Sequence, residues 1–193
     1  RGAGVRMGEL VAVRDCVGRQ DILEAVLLAV EAAGAVPVPQ ITPARYLEKL
    51  WRSASLTHLA QWHRHRQMIL ERTDRIIVLS GDRPDVANAD QQSFATWAQA
   101  EDQLTQVEEV RQMPCMMASI PTPKRAYQLG MTQDMLDAHL LPALAASDVD
   151  LAHAIGRAQV AAMHDPLVIR TGEGCVLRLQ RGDRLWLGDD GRI

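Results

Sequence analysis

The sequence predicts an α/β fold: a three-layer-like N-terminal domain with a mostly parallel sheet and flanking helices, followed by the first antiparallel strands of a second domain. Three observations carry this. A strand, a helix and a second strand follow one another within the first forty residues. The apolar run "RIIVL" leads into a loop, a long capped helix and the further strand "CMMASI". Beyond Pro166 the pattern turns to short apolar runs between glycine turns.

The elements can be justified in order. "LVAV" at residues 10–13 is short and wholly apolar, as a buried strand is. Asp21 followed by Glu24 resembles a capping box, residues 22–33 are helical in pattern, and Gly34 stands where a C′ glycine belongs. "AVPVP" at residues 35–39 suits an edge strand, because proline cannot donate to a ladder. A strand–helix–strand unit of this length implies parallel pairing.

Residues 43–50 and 55–71 read as helices, and 75–79 as the clearest buried strand, with the loop "SGDRP" at its carboxyl end. Asp90 is placed to cap a helix running to about Gln112, and residues 115–120 form a strand that Pro121-Thr122-Pro123 stops. Two more helices, residues 132–141 and 148–163, are expected with Thr132 and Asp148 as caps. Short strands follow at 167–169, 175–180 and 184–187, then the turn Gly188-Asp189-Asp190-Gly191. The expected domains are 1–165 and 166–193, divided near Asp165-Pro166.

Composition narrows the function classes. With 47% hydrophobic and 23% charged residues among 193, the chain is globular rather than disordered. A net charge of −3, with both signs interspersed, offers no footprint for nucleic acid or an anionic membrane. Glu24 and Glu31 interrupt the longest apolar run, so it does not span a bilayer. Cys16, Cys115 and Cys175 are odd in number and widely spaced, which points to buried thiols in a reducing, cytoplasmic setting.

Few residues combine into chemistry. The loop "RDCVGR" before the first helix lacks a phosphate-binding glycine pattern, and Arg19 reads as a solvated side chain. "THLAQWHRHR" contains His58, His63 and His65, none of them four apart as two imidazoles on one metal require. Ser80-Gly81 is no nucleophile elbow. His153 and His164 stand eleven residues apart, about 16 Å along a helix, too far to share a proton or a metal. The stiff strand exit at Pro121, Thr122 and Pro123 reads first as a plain connector; it is also the candidate ligand-contacting loop, because α/β folds bind at strand carboxyl ends.

Three stretches taken together resemble one family. "SIPTPKRAYQLGMT" is similar to the Pro-Thr-Pro segment that precedes a small helix and a Gly-Met-Thr/Ser helix start in the thermophilic-type metallo-aminopeptidases, the aminopeptidase T and aminopeptidase S group. "CVLRLQRGDRLWLGDDGRI" resembles that family's strand pair with its Gly and Asp-Gly turns, and "GELVAVRDCVGRQDILEAVLLAVEAAGAVPVPQI" its first βαβ unit.

The resemblance implies hydrolytic removal of N-terminal residues from peptides by a homodimer, with two divalent ions (zinc, cobalt or manganese) activating water. The family's metal ligands follow the Asp-Gly turn and have no counterpart before Ile193. This chain would therefore be the N-terminal domain and the start of the catalytic one, binding no metal itself, with no catalytic residue. Two alternatives stand beside it: a non-catalytic small-molecule or partner-binding module, and the N-terminal domain of a related ring-opening dihydroxypyridine dioxygenase, which uses a single iron.

Overall fold

The computed structural model describes residues 3–87, 89–146, 149–162, 167–172, 174–180 and 182–183. Two compact units are distinguished: residues 3–146, and a second comprising residues 147–193. The expected boundary at Asp165-Pro166, the Asp148 cap, His164, the strand at 184–187 and the turn at 188–191 lie outside the described residues.

In the first unit four strands, β1 (Leu10–Asp15), β2 (Val36–Ile41), β3 (Arg75–Ser80) and β4 (Cys115–Ser119), form one sheet in the order β2-β1-β3-β4. All three pairings are parallel, with Ala12 opposite Val38 on one side and Ile76 on the other. β2 lies at an edge, and its sequence explains why. Val36 donates to the Glu9 carbonyl at 2.9 Å and Thr42 to that of Asp15 at 2.8 Å, so the even positions face β1. Pro37 and Pro39, which have no N–H, fall on the outward side, where none is needed.

Among the described residues seven helices connect and cover these strands: α1 (Gln20–Ala32), α2 (Ala44–Ser53), α3 (Leu56–Ala60), α4 (His63–Leu70), α5 (Gln91–Val110), α6 (Pro123–Gln128) and α7 (Gln133–Ala146). Strand alternation sorts the core into two layers. Val11, Val13, Ile77 and Leu79 pack with Leu23 and Val30 of α1. Ala12 and Ile76, on the opposite face, pack with Leu47, Trp51, Leu59, Leu70, Ala100 and Leu104 of α2 to α5. Trp51, 1% exposed, anchors that layer, edge-on to Phe94 with ring centroids 5.2 Å apart and tilted against Trp97 at 5.1 Å.

Several local expectations hold. α1 ends in a Schellman arrangement: Gly34, at φ +76°, donates to Glu31, and Ala35 to Val30. Asp90 caps α5 by accepting from Ser93 N–H at 2.8 Å, and Thr132 accepts from Met135 N–H at 3.2 Å. Others need correction. The cap of α1 is Arg19, with no side-chain bond; Asp21 lies inside the first turn and is gripped by the Arg19 guanidinium instead. The single helix expected over 55–71 is two, α3 and α4. Trp62 turns inward, its Nε1 on Glu101 at 2.8 Å, and this anchoring breaks the helix at Gln61. α7 runs on past Pro142 to Ala146. Cys16 and Cys115 are partly buried, but Cys175 is exposed.

The second unit contains α8 (Val149–Ala162) and an antiparallel pair, β5 (Leu167–Arg170) with β6 (Val176–Leu179). Among the described residues no helix is long and apolar enough to cross a membrane.

At the amino ends of the central strands, Arg75 donates to both Glu9 oxygens, at 3.0 and 3.1 Å. These bonds hold the Glu9 carboxyl below its ordinary value. The stabilisation is therefore complete above the unfolded-state pKa and is lost as pH falls through the folded value. In urea titrations between pH 6 and about pH 3, Glu9→Gln should lose less stability on acidification than the wild type. Parallel losses in the two proteins would mean that the pair does not contribute.

Candidate functional site

Because the strands are parallel, all four carboxyl ends lie along one edge of the sheet. The order β2-β1-β3-β4 reverses direction between β1 and β3, and such a switch point leaves a crevice between the diverging connections. A crevice of about 400 Å³ occupies it, lined from all four strand exits by Gly18, Arg45, Arg83, Thr122 and Lys124 among others.

The loop after β1 is shaped by Asp15, 2% exposed, whose Oδ1 accepts from Val17 and Gly18 N–H at 2.9 Å each. Gly18 takes φ +80°, a backbone that L side chains rarely adopt. The exit of β3 crosses close by: a Cβ on Gly81 would lie 3.0 Å from the Val17 side chain and 3.4 Å from that of Thr122. Only glycine lets three strand exits approach so tightly.

The three candidate residues have different surroundings. Pro121 is fully buried, Thr122 is 5% exposed and Pro123 is exposed. Thr122 Oγ1 donates to Asp82 Oδ1 at 2.9 Å and accepts from Arg125 N–H at 3.1 Å. It is the N-cap of α6, with Pro123 at the first helical position, a pairing that the backbone geometry of each favours. Thr122 and Pro123 line the crevice.

Arg19 is not a solvated side chain. Its guanidinium donates to both oxygens of Asp137 at 2.8 and 2.7 Å and to Asp21 at 2.6 Å. Asp21 above all, then Asp137, holds it protonated beyond the ordinary arginine value. The charge fastens α7 to the mouth of the crevice. Arg45, Arg83 and Lys124 are exposed on the same rim and form no ion pair among the described residues.

An inner cavity of about 210 Å³ lies on the α2–α5 side of the sheet and shares Cys16, Ala44 and Asp82 with the crevice. Its wall includes Arg14, Gln40, Trp62, Arg66, Trp97 and Glu101. Arg66 stacks on Trp62, its guanidinium carbon 3.3 Å from the ring centroid, and donates to the Trp62 carbonyl at 3.0 Å. Burial pushes the Arg66 pKa down, with the nearby Glu101 charge opposing. Burial likewise pushes the Cys16 thiol up, so it is a poor nucleophile.

Sequence reasoning passed over this cavity, although two signals for it were present. Trp62 and Arg66, and Trp97 and Glu101, are aromatic–charged pairs four residues apart, which share a helix face. The histidines that drew attention, His58, His63 and His65, assemble nothing: among the described residues no group of three or more His, Cys, Asp or Glu could hold a metal ion.

Comparison with known proteins yields a fold and no family. No protein-family model matches the chain, and no curated protein matches it. Among solved structures it is similar to wild-type AmpT from Thermus thermophilus, with a TM-score of 0.63 and 13% identity over 91% of this chain. The match spans 55% of that protein's chain. At this identity the likeness is one of fold.

Replacing Thr122 tests whether its hydroxyl joins the strand exits. Thr122→Val removes both bonds at constant shape and should cost about 2 kcal/mol in urea unfolding, whereas Thr122→Ser should cost under ~1 kcal/mol. Equal costs for the two would show that the hydroxyl is dispensable.

Proposed function

We propose that this chain is the N-terminal α/β part of a metal-dependent aminopeptidase that releases N-terminal residues from peptides. The observation that carries this reading is the fold likeness to AmpT, an aminopeptidase, over nearly the whole of this chain and about half of that one. The sequence resemblance described above points the same way.

In this reading the chain supplies a wall of the substrate chamber. The crevice at the strand ends receives the peptide, and the rim cations Arg45, Arg83 and Lys124 attract its carboxylate-bearing end. Pro123, exposed and fixed in φ at the head of α6, presents a rigid contact. Thr122 acts behind it as a positioning residue, through Asp82 and the α6 cap.

The reading carries with it two divalent ions (zinc, cobalt or manganese), a homodimer and a cytoplasmic setting. The described residues do not fit a two-metal centre, since they bring no set of ligands together. The ions would be held by residues elsewhere in a longer protein, where they would activate water for attack on the scissile carbonyl. No step of that chemistry is assigned to residues of this chain.

A bulky side chain at buried Thr122 would disturb packing as well as substrate, so Pro123 is the sharper probe. In the full-length gene product assayed on short peptides with each metal in turn, Pro123→Trp should raise KM at least severalfold, with kcat and the unfolding midpoint nearly unchanged. An unchanged KM would remove the crevice from the substrate path. Absence of peptidase activity with every metal would remove the reading itself.

A further inference from the structure

The inner cavity has a charge pattern that the crevice and the peptidase reading leave unused. Four charged residues lie on its wall: Arg14, Arg66, Asp82 and Glu101. Arg14 is satisfied, paired with Glu108 and donating to Gln40 Oε1 at 3.2 Å. Arg66 is not. It is half-buried, its one hydrogen bond goes to a neutral carbonyl, and it forms no ion pair among the described residues. Asp82 accepts one bond from Thr122 and Glu101 one from Trp62, which leaves each carboxylate with an oxygen to spare.

Gln40 and Trp97 also line the cavity, but Gln40 Nε2 and Trp97 Nε1 are buried away from it and have no acceptor among the described residues. Ala44, Leu47, Pro84 and Leu104 give the wall an apolar part, and Cys16 and Thr42 complete it with Trp62.

We propose that this cavity binds a free α-amino acid with a compact apolar side chain, its carboxylate on Arg66 and its ammonium on Asp82 and Glu101. The size agrees. A volume of about 210 Å³ is below the range of drug-sized pockets and suited to a molecule of small-metabolite bulk.

The charges select for a zwitterion. A simple carboxylate would satisfy Arg66 but meet two acids, and a simple amine would satisfy the acids but leave Arg66 desolvated and unpaired. A ligand bearing both charges answers both, and its side chain covers the Leu47 and Leu104 wall. Arg66 is pre-organised for the purpose, its plane fixed on the Trp62 ring. Such a site would exist whether or not the chain serves a peptidase.

The test is direct binding to the 193-residue protein, read by tryptophan fluorescence, since Trp62 and Trp97 line the cavity, and by the thermal unfolding midpoint. The probes are L-leucine, N-acetyl-L-leucine, which keeps only the carboxylate charge, and L-leucinamide, which keeps only the ammonium. L-leucine should give a saturable change and a raised midpoint. Both derivatives should bind at least tenfold more weakly, and Arg66→Gln should lose at least tenfold in affinity while its midpoint without ligand stays near the wild-type value. No saturation by L-leucine up to ~10 mM, or derivatives that bind as well as L-leucine, would overturn the proposal. A folded Arg66→Gln protein with unchanged affinity would do the same. If that variant does not fold, the comparison of the three probes on the wild type still decides.

Discussion

The buried carboxylate of Asp15 is the constraint on which the rest of the site depends. It sits at the carboxyl end of β1, one of the two central strands, and takes two backbone N–H groups from the loop that follows. A carboxylate held in this way is satisfied out of water, and the loop it closes has little freedom to move. Val17 is thereby set against Gly81 at the end of β3, and Gly18 against Pro43. These contacts make the floor of the crevice. Without them the switch point between β1 and β3 would remain a topological feature without a defined surface.

The same arrangement explains why two hollows of different character adjoin. On the outer side the strand exits fan apart, and exposed arginine and lysine side chains rim the gap. On the inner side the large side chains of α2, α4 and α5 pack over β1 but do not close against its end. Arg14 and Cys16 alternate with the core positions Val13 and Asp15, and so project beneath those helices. Cys16, Ala44 and Asp82 form a shared partition, so a change at any of the three acts on both spaces.

Much of the fold was legible in the sequence because its signals are local. The wholly apolar run at β3, the prolines confined to one side of β2, the glycine after α1 and the aspartate before α5 each act through a neighbouring backbone group. Reading failed where a distant partner decides. Asp21 has the sequence of a cap, but Arg19 takes its carboxylate. The helix expected through Trp62 is broken because Glu101, far along the chain, holds the indole. The cavity escaped notice for the same reason, since its wall comes from β1, β2, α2, the loop after β3, α4 and α5. The strand exit at 121–123 was legible as a stiff loop, but the hydroxyl of Thr122 proved to face Asp82.

The functional account stands on fold likeness and on the placement of the crevice, and one measurement bears on it most directly. The intact mass of the protein from its source cells, with peptide sequencing past Ile193, should be taken together with release of N-terminal residues from peptides in cobalt, zinc or manganese. The account predicts a product well above the mass of 193 residues that is active only with metal. A product that ends at Ile193 and releases no amino acid would contradict it, and would leave an α/β binding module whose ligand is to be sought in the two hollows at the strand ends.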